Sequence, residues 1–376
     1  MYIRQQQLKN LLDLLAPQKA IIVYGPRRCG KTTLLNEVVK KINEKYLLVN
    51  GEDISVQEYL SSQSIEKLKS FIGDNRFLII DEAQKINNIG LNIKLLLDHV
   101  PGLRVIATGS SSFDLASQLG EPLTGRKYTL RMFPLAQLEI NNIETRVETN
   151  ASLEHRLIYG SYPEVILTKN NDKRVIYLKE IVNSYLYRDI LELEGIRHSD
   201  KIVKLLQLLA FQIGKEISFN EFGQQLGMSK NTVDRYFDLL EKSFVVFKLR
   251  GFNRNLRKEI SKNPRYYFYD NGIRNALINN FNSLSMRNDI GMLWENYIII
   301  ERIKKQEYTS LSANNYFWRT YDQKEIDFIE ERGGKLYGYE IKWAKGKMKR
   351  PKEWLNTYQG SIFDIITKDN YLNFIA

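Results

Sequence analysis

Gly25-Pro26-Arg27-Arg28-Cys29-Gly30-Lys31-Thr32 lies between an apolar run, Ala20–Tyr24, and an amphipathic stretch over residues 32–45. The spacing is that of a Walker A loop, and the flanks read as the strand and the helix that such a loop joins. Glycines let the backbone turn tightly, so that successive N–H groups point inward and can hold phosphate oxygens. The helix that opens at the loop adds positive potential at its N-terminus. In this reading the run and Thr33 cradle the phosphates of ATP. Lys31 reaches the β- and γ-phosphates, and the Thr32 hydroxyl ligates Mg2+.

Working outward, apolar runs at residues 46–50, 77–81 and 104–108 alternate with amphipathic stretches such as 91–99. Strands that are apolar throughout and alternate with helices predict a parallel sheet covered on both faces. The third run ends in Asp81-Glu82. Asp81 suits the Mg2+ shell, and Glu82 suits the base that polarises an attacking water. The fourth ends Ala107-Thr108-Gly109-Ser110-Ser111, where Thr108 or Ser110 can orient that water or touch the γ-phosphate. Downstream, Arg126 and Arg131 offer guanidiniums to transition-state charge, within the chain or across a subunit boundary. Cys29 is expected to be shielded by nucleotide, either as a reactive thiol or as an inert buried one.

Beyond residue 150 the pattern becomes mostly helical, with apolar residues at helical spacing over 173–193 and 201–211. Residues 217–251 predict a winged helix: a short helix, Gly227-Met228-Ser229, a longer helix, and a strand that begins the wing. Val233, Phe237 and Leu240 share one face of the longer helix. Lys230, Asn231 and Arg235 lie off that stripe and are candidates for DNA contact, as are Arg254, Arg257 and Lys258 on the wing. Charge agrees: of the formal net +11, residues 197–275 hold 15 basic against 8 acidic side chains. Such a surplus suits an anionic partner. In the tail, Glu295 sits on a helix, Asp327 on a strand, and Glu340 and Lys342 share one face of the next strand. Two carboxylates near one another suit a divalent cation, with Lys342 placed to stabilise phosphate charge.

Composition bounds the rest. At 376 residues the chain is long enough for two or three domains. No apolar run approaches the roughly 18 residues of a membrane helix. The strongest, residues 293–300, contains Glu295 and Asn296. The first residues are polar and lack a signal-peptide core. A single cysteine excludes an internal disulfide and fits a cytoplasmic protein.

The Walker A run, Ile80-Asp81-Glu82-Ala83-Gln84-Lys85, Thr108-Gly109-Ser110-Ser111, Gly125-Arg126 and Pro134-Leu135 together resemble prokaryotic AAA+-type ATPases of the archaeal-ATPase-like group. The marks of that group's C-terminal domain of unassigned function are also present. They are Tyr159-Gly160-Ser161-Tyr162-Pro163-Glu164, Tyr187-Arg188-Asp189-Ile190 and Tyr267-Phe268-Tyr269-Asp270-Asn271-Gly272. The resemblance implies an α/β P-loop ATPase domain over 1–140 and a helical, winged-helix middle over 141–275. It also implies a restriction-endonuclease-like α/β domain over 276–376, similar to PD-(D/E)XK nucleases. The expected activity is Mg2+-dependent hydrolysis of ATP to ADP and phosphate, coupled to DNA binding or processing, with a homo-oligomer as a further expectation. The rival is a nucleotide-switched regulator whose tail binds a protein partner and cuts nothing. A basic middle segment and Glu82 argue against a small-molecule kinase.

Overall fold

The computed structural model describes residues 3–110, 123–186, 199–253, 263–320, 324–344 and 350–376. It divides into two compact units. One comprises the residues up to Pro134 together with Lys242–Phe244, and the other comprises 135–241 and 245–376.

The first unit is a parallel sheet of β1 (Ala20–Tyr24), β2 (Tyr46–Asn50), β3 (Phe77–Asp81), β4 (Arg104–Gly109) and β5 (Lys127–Arg131), in the order β2-β3-β4-β1-β5. Its helices are α1 (Gln7–Leu14), α2 (Lys31–Val39), α3 (Ile54–Leu60), α4 (Ile65–Ile72) and α5 (Ile89–His99). Every residue of β1 is buried. Ile21 and Val23 join a core with Leu34, Leu35 and Val38 of α2, while Ile22, on the other face, is equally buried. Both faces are therefore covered, which explains a strand without polar alternation. β4 lies between β1 and β3, with Tyr24 level with Gly109 and Ile80 level with Ala107. The C-terminal ends of the three strands thus stand side by side, the place where open α/β sheets bind ligands.

The second unit begins with short helices α6 (Gln137–Ile140), α7 (Arg146–Ala151), α8 (Leu153–Tyr159), α9 (Pro163–Leu167) and α10 (Asn171–Ile181). The helix expected over 173–193 departs from α-geometry after Ile181 and continues as a π-turn over Val182–Leu186. α11 (Ser199–Phe211), α12 (Phe219–Leu226) and α13 (Lys230–Lys242) follow. Gly227 ends α12 in the left-handed conformation, and the Ser229 hydroxyl accepts from the Thr232 N–H at the start of α13.

β6 (Val246–Gly251) and β7 (Arg265–Phe268) pair antiparallel. They are followed by α14 (Asn271–Leu277), α15 (Ile290–Tyr308), β8 (Asn314–Arg319), β9 (Glu325–Arg332), β10 (Lys335–Ile341), α16 (Lys352–Thr357), β11 (Ile362–Ile366) and α17 (Tyr371–Ile375). One sheet runs β11-β10-β9-β8-β6-β7. The boundary expected at 275/276 has no counterpart as a break in this sheet, because β8 pairs parallel with β6.

Two of the quoted marks meet in this unit. The Asp270 carboxylate caps α14 by accepting from the N–H groups of Gly272 and Ile273, and it also accepts from Ser161 N–H at 2.7 Å. Gly160 lies so close that a Cβ would run into that carboxylate, and a Cβ on Gly272 would run into the Tyr159 carbonyl. The mark over 187–190 lies outside the described residues, as do Ser111, Arg254, Arg257 and Lys258.

Candidate active site

The loop between β1 and α2 is shaped by backbone approach. A Cβ on Gly25 would stand 2.5 Å from the Met132 carbonyl, so only glycine fits there. Gly30 caps α2 with φ of 102°, a left-handed conformation that favours glycine, and Arg28 also has positive φ. Lys31 is 5% exposed, and its ammonium donates to the carbonyls of Gly25 and Pro26, each at 3.0 Å. It is therefore folded over the loop. Thr32, Thr33 and Arg28 are exposed, and Arg27 is half-buried. The Cys29 side chain lies wholly in the apolar core with Val23, Leu34 and Leu35, so only its backbone can serve the loop.

Thr32 and Asp81 come together across the sheet. The Thr32 hydroxyl donates to Asp81 Oδ2 at 2.6 Å. Asp81 Oδ1 accepts from the Thr108 hydroxyl, which in turn accepts from the Glu82 N–H at 3.2 Å. Of the two hydroxyls proposed at the end of β4, Thr108 thus contacts Asp81. Ser110 instead accepts from Gln84 Nε2 at 3.1 Å.

Glu82 has φ of 53°, a costly conformation for a residue with a side chain, and opens a short 3-10 turn over Ala83–Lys85. Gly51 secures the bend. It donates its N–H to the Asp81 carbonyl at 2.8 Å and lies against the Glu82 carbonyl, with no room for a Cβ. Gln84 Nε2 donates to Glu82 Oε2 at 2.5 Å. Sequence reasoning assigned Gln84 no role, although it stands in the quoted Asp-Glu-Ala-Gln run. Its Oε1 is buried with no partner among the described residues, as is the Tyr24 hydroxyl, whose pKa burial pushes up to about 12.

Arg126 lies away from the loop of its own chain. Its carbonyl accepts from Ala20 N–H at the start of β1, whereas the loop follows Tyr24 at the other end. Four residues of strand separate the two, roughly 13 Å. The guanidinium instead pairs with Asp98 at 2.8 Å. Arg131, level with Tyr24, stands at the end where the loop lies.

In the second unit Glu295, Asp327, Glu340 and Lys342 are electrostatic neighbours. Asn296 anchors α15 to β7 by exchanging hydrogen bonds with the Phe268 backbone at 2.8 and 2.9 Å. This sets Glu295 against the Tyr267 hydroxyl, which donates to it at 2.7 Å. Sequence reasoning assigned neither Asn296 nor Tyr267 a role, although Tyr267 opens one of the quoted marks. Asp327 is 3% exposed and accepts from Ile341 N–H at 2.8 Å. Burial, then the charges of Glu295 and Glu340, hold its carboxyl well above the usual carboxylate range. Burial likewise raises Glu295. Lys342 pairs with Glu340 at 2.7 Å. Burial disfavours the Lys342 ammonium, but Asp327, Glu340 and Glu295 together hold its pKa above the usual value. The donor types suit a hard cation, yet among the described residues no group of three or more His, Cys, Asp or Glu is arranged to hold a metal ion.

On α13, Val233, Phe237 and Leu240 are buried as their spacing requires, and Lys230, Asn231 and Arg235 are exposed. Asp234 and Asp238 are exposed on the same helix, so its outer surface carries mixed charge. Among the described residues no helix is long and apolar enough to cross a membrane.

Comparison with known proteins matches three successive segments of the chain. Residues 150–284 match a domain of unknown function (DUF8612), and residues 290–362 match another (DUF4143). An uncharacterised protein of Mycobacterium tuberculosis is 26% identical over 346 residues, covering 90% of this chain and 74% of its own length. One from Methanocaldococcus jannaschii is 25% identical over 334 residues, covering 84% and 73%. A proteasome-associated ATPase of Nakamurella multipartita is 28% identical over 102 residues, covering 26% of this chain and 17% of that protein. Among solved structures, a Walker-type ATPase of Pyrococcus abyssi covers 74% of this chain and 96% of its own at 15% identity and a TM-score of 0.48. Residues 17–141, the segment that holds Lys31, Thr32, Asp81 and Glu82, match the family model described as AAA domain.

Proposed function

We propose that the chain binds Mg2+-ATP on the loop from Gly25 to Thr33 and hydrolyses it to ADP and phosphate. The observation that carries this is the hydrogen-bonded series Thr32–Asp81–Thr108–Glu82 beside the loop. A hydroxyl and a carboxylate 2.6 Å apart are hard oxygen donors of the kind Mg2+ takes, so the residues fit that ion. Mg2+ held there would neutralise charge on the β- and γ-phosphates. Lys31 has three donors and spends two on loop carbonyls, which leaves one for a phosphate oxygen. Glu82 polarises the attacking water, and Gln84 fixes its carboxylate. Arg126 can serve the phosphates only from a second copy of the chain.

The second unit is the partner-binding part, and DNA is the partner this reading favours. The surplus of basic charge over 197–275 and the series α12, Gly227, α13, β6, β7 support it. That series is the order of a winged helix, with Lys230, Asn231 and Arg235 at the exposed start and middle of its second helix. The mixed charge on α13 favours the rival, a nucleotide-switched regulator whose second unit binds a protein. ATP hydrolysis measured with and without single-stranded, duplex and branched DNA separates them. Stimulation that falls steeply with salt supports DNA. A rate indifferent to every DNA form, with nucleotide-dependent assembly instead, supports the regulator.

A further inference from the structure

We infer that Gln5 is a positioning residue of the phosphate loop and sets the direction of the Gly30 and Lys31 N–H groups. The inference rests on the phosphate-loop reading above. Gln5 Nε2 donates to the carbonyls of Cys29 at 3.4 Å and Gly30 at 3.2 Å. In a planar trans peptide the carbonyl and the N–H point in opposite directions. The Cys29 carbonyl shares its peptide with the Gly30 N–H, and the Gly30 carbonyl shares its peptide with the Lys31 N–H. Drawing both carbonyls towards Gln5 therefore turns both N–H groups to the opposite side. Gly30 caps α2 and Lys31 is its first residue, so these two donors belong to the helix N-terminus that an anion meets.

Further observations fix the side chain in this role. Gln5 is 4% exposed, so its contacts are not those of a mobile surface amide. Gly30 holds φ of 102°, and a Cβ there would run into the Gln5 amide, so the close approach and the glycine require each other. Gln5 Oε1 is buried with no partner among the described residues. A buried acceptor left unpaired is costly, so the side chain is held in place by its donors. The Gly30 carbonyl also accepts from Leu34 N–H at 2.9 Å, which ties the same peptide to the helix ladder. Two residues on, Gln7 Nε2 donates to the Arg131 carbonyl at 2.7 Å, level with Tyr24, so the segment is strapped at a second point.

The test compares Gln5→Met, which keeps length and removes the donors, with Gln5→Glu, which keeps shape and sets an acceptor against two carbonyls. Mg2+-ATP is titrated into each variant, and both the dissociation constant and the number of sites per folded chain are read. The expected result is a Kd raised about tenfold in Gln5→Met, the scale of one or two neutral hydrogen bonds, and raised further in Gln5→Glu. Site number stays unchanged. A purely structural role would lower the number of competent sites and leave their Kd at the wild-type value, and that outcome overturns the inference. Lys31→Ala in the same titration separates the two claims. If Lys31→Ala binds ATP as the wild type does, the phosphate-loop reading itself fails. If Lys31→Ala loses binding while both Gln5 variants keep the wild-type Kd, only the positioning role falls.

Discussion

The smallest features of the site are hydrogen bonds made by residues with no catalytic chemistry of their own. Gln84 is the clearest case: its amide reaches both Glu82 and Ser110. If it fixes the base, Gln84→Leu should lower turnover several-fold while ATP affinity stays within about twofold, because water activation is lost and phosphate binding is not. Equal losses in affinity and turnover, measured by titration and steady-state kinetics, would place Gln84 among the binding groups instead. Asp270 gives a second prediction at this scale. Burial raises its pKa from 3.8 to about 6, against the pull of the Ser161 N–H and Lys304. A carboxyl with a raised folded-state pKa binds its proton more tightly in the folded protein. Its contribution is therefore full below the unfolded value and is lost as pH rises towards the folded one. Between about pH 4 and pH 6 stability should fall by on the order of 3 kcal/mol from this group alone. Denaturant titrations across that range check it, and Asp270→Asn should flatten the slope.

At the scale of elements, the sequence was most legible where one physical demand controls several positions. The strand before the loop, the loop and α2 follow from an apolar run, two glycines and Lys31-Thr32. The alternation that predicts a parallel sheet is answered by β1, β3 and β4, buried along nearly their whole length, whereas β2 at the edge of the sheet leaves Tyr46 and Leu48 exposed. The strand order was not legible, because nothing local in β1, β3 and β4 says which lies between the others. Side chains that act across that order were missed for the same reason. Gln5 reaches Gly30, 25 positions away, and Gln84 reaches Ser110, 26 positions away, besides Glu82 two residues before it. Spacing after β4 does not reveal at which end of β5 Arg126 falls, and it stands at the start of that strand, at the opposite end from the loop. In the tail, residue order brought Glu295, Asp327, Glu340 and Lys342 into one neighbourhood, but not a three-acid metal arrangement. Close packing yields a testable element-level claim. Gly272→Ala puts a Cβ into the Tyr159 carbonyl. With little room to relax at buried α8 and α14, the cost should be at least about 2 kcal/mol by thermal or denaturant unfolding. A loss below half that would mean the two helices separate easily.

For the molecule as a whole, the proposed function places chemistry in the unit that carries the phosphate loop and partner recognition in the other. If DNA is the partner, Lys230→Gln with Arg235→Gln should weaken binding alike across sequences. The salt slope should fall by about one for each phosphate contact removed. An unchanged slope would move recognition away from α13. The central claim concerns the first unit, and phosphate release at saturating Mg2+-ATP tests it most directly. The wild type should turn over ATP, and Lys31→Ala should not, since the cation at the β- and γ-oxygens is gone. Glu82→Gln should hold ATP with wild-type stoichiometry while its turnover falls at least about tenfold, below the ~10²–10⁴ range for a lost general base. Wild-type rates in Lys31→Ala, or in Glu82→Gln, would contradict the assignment of ATP hydrolysis to this site.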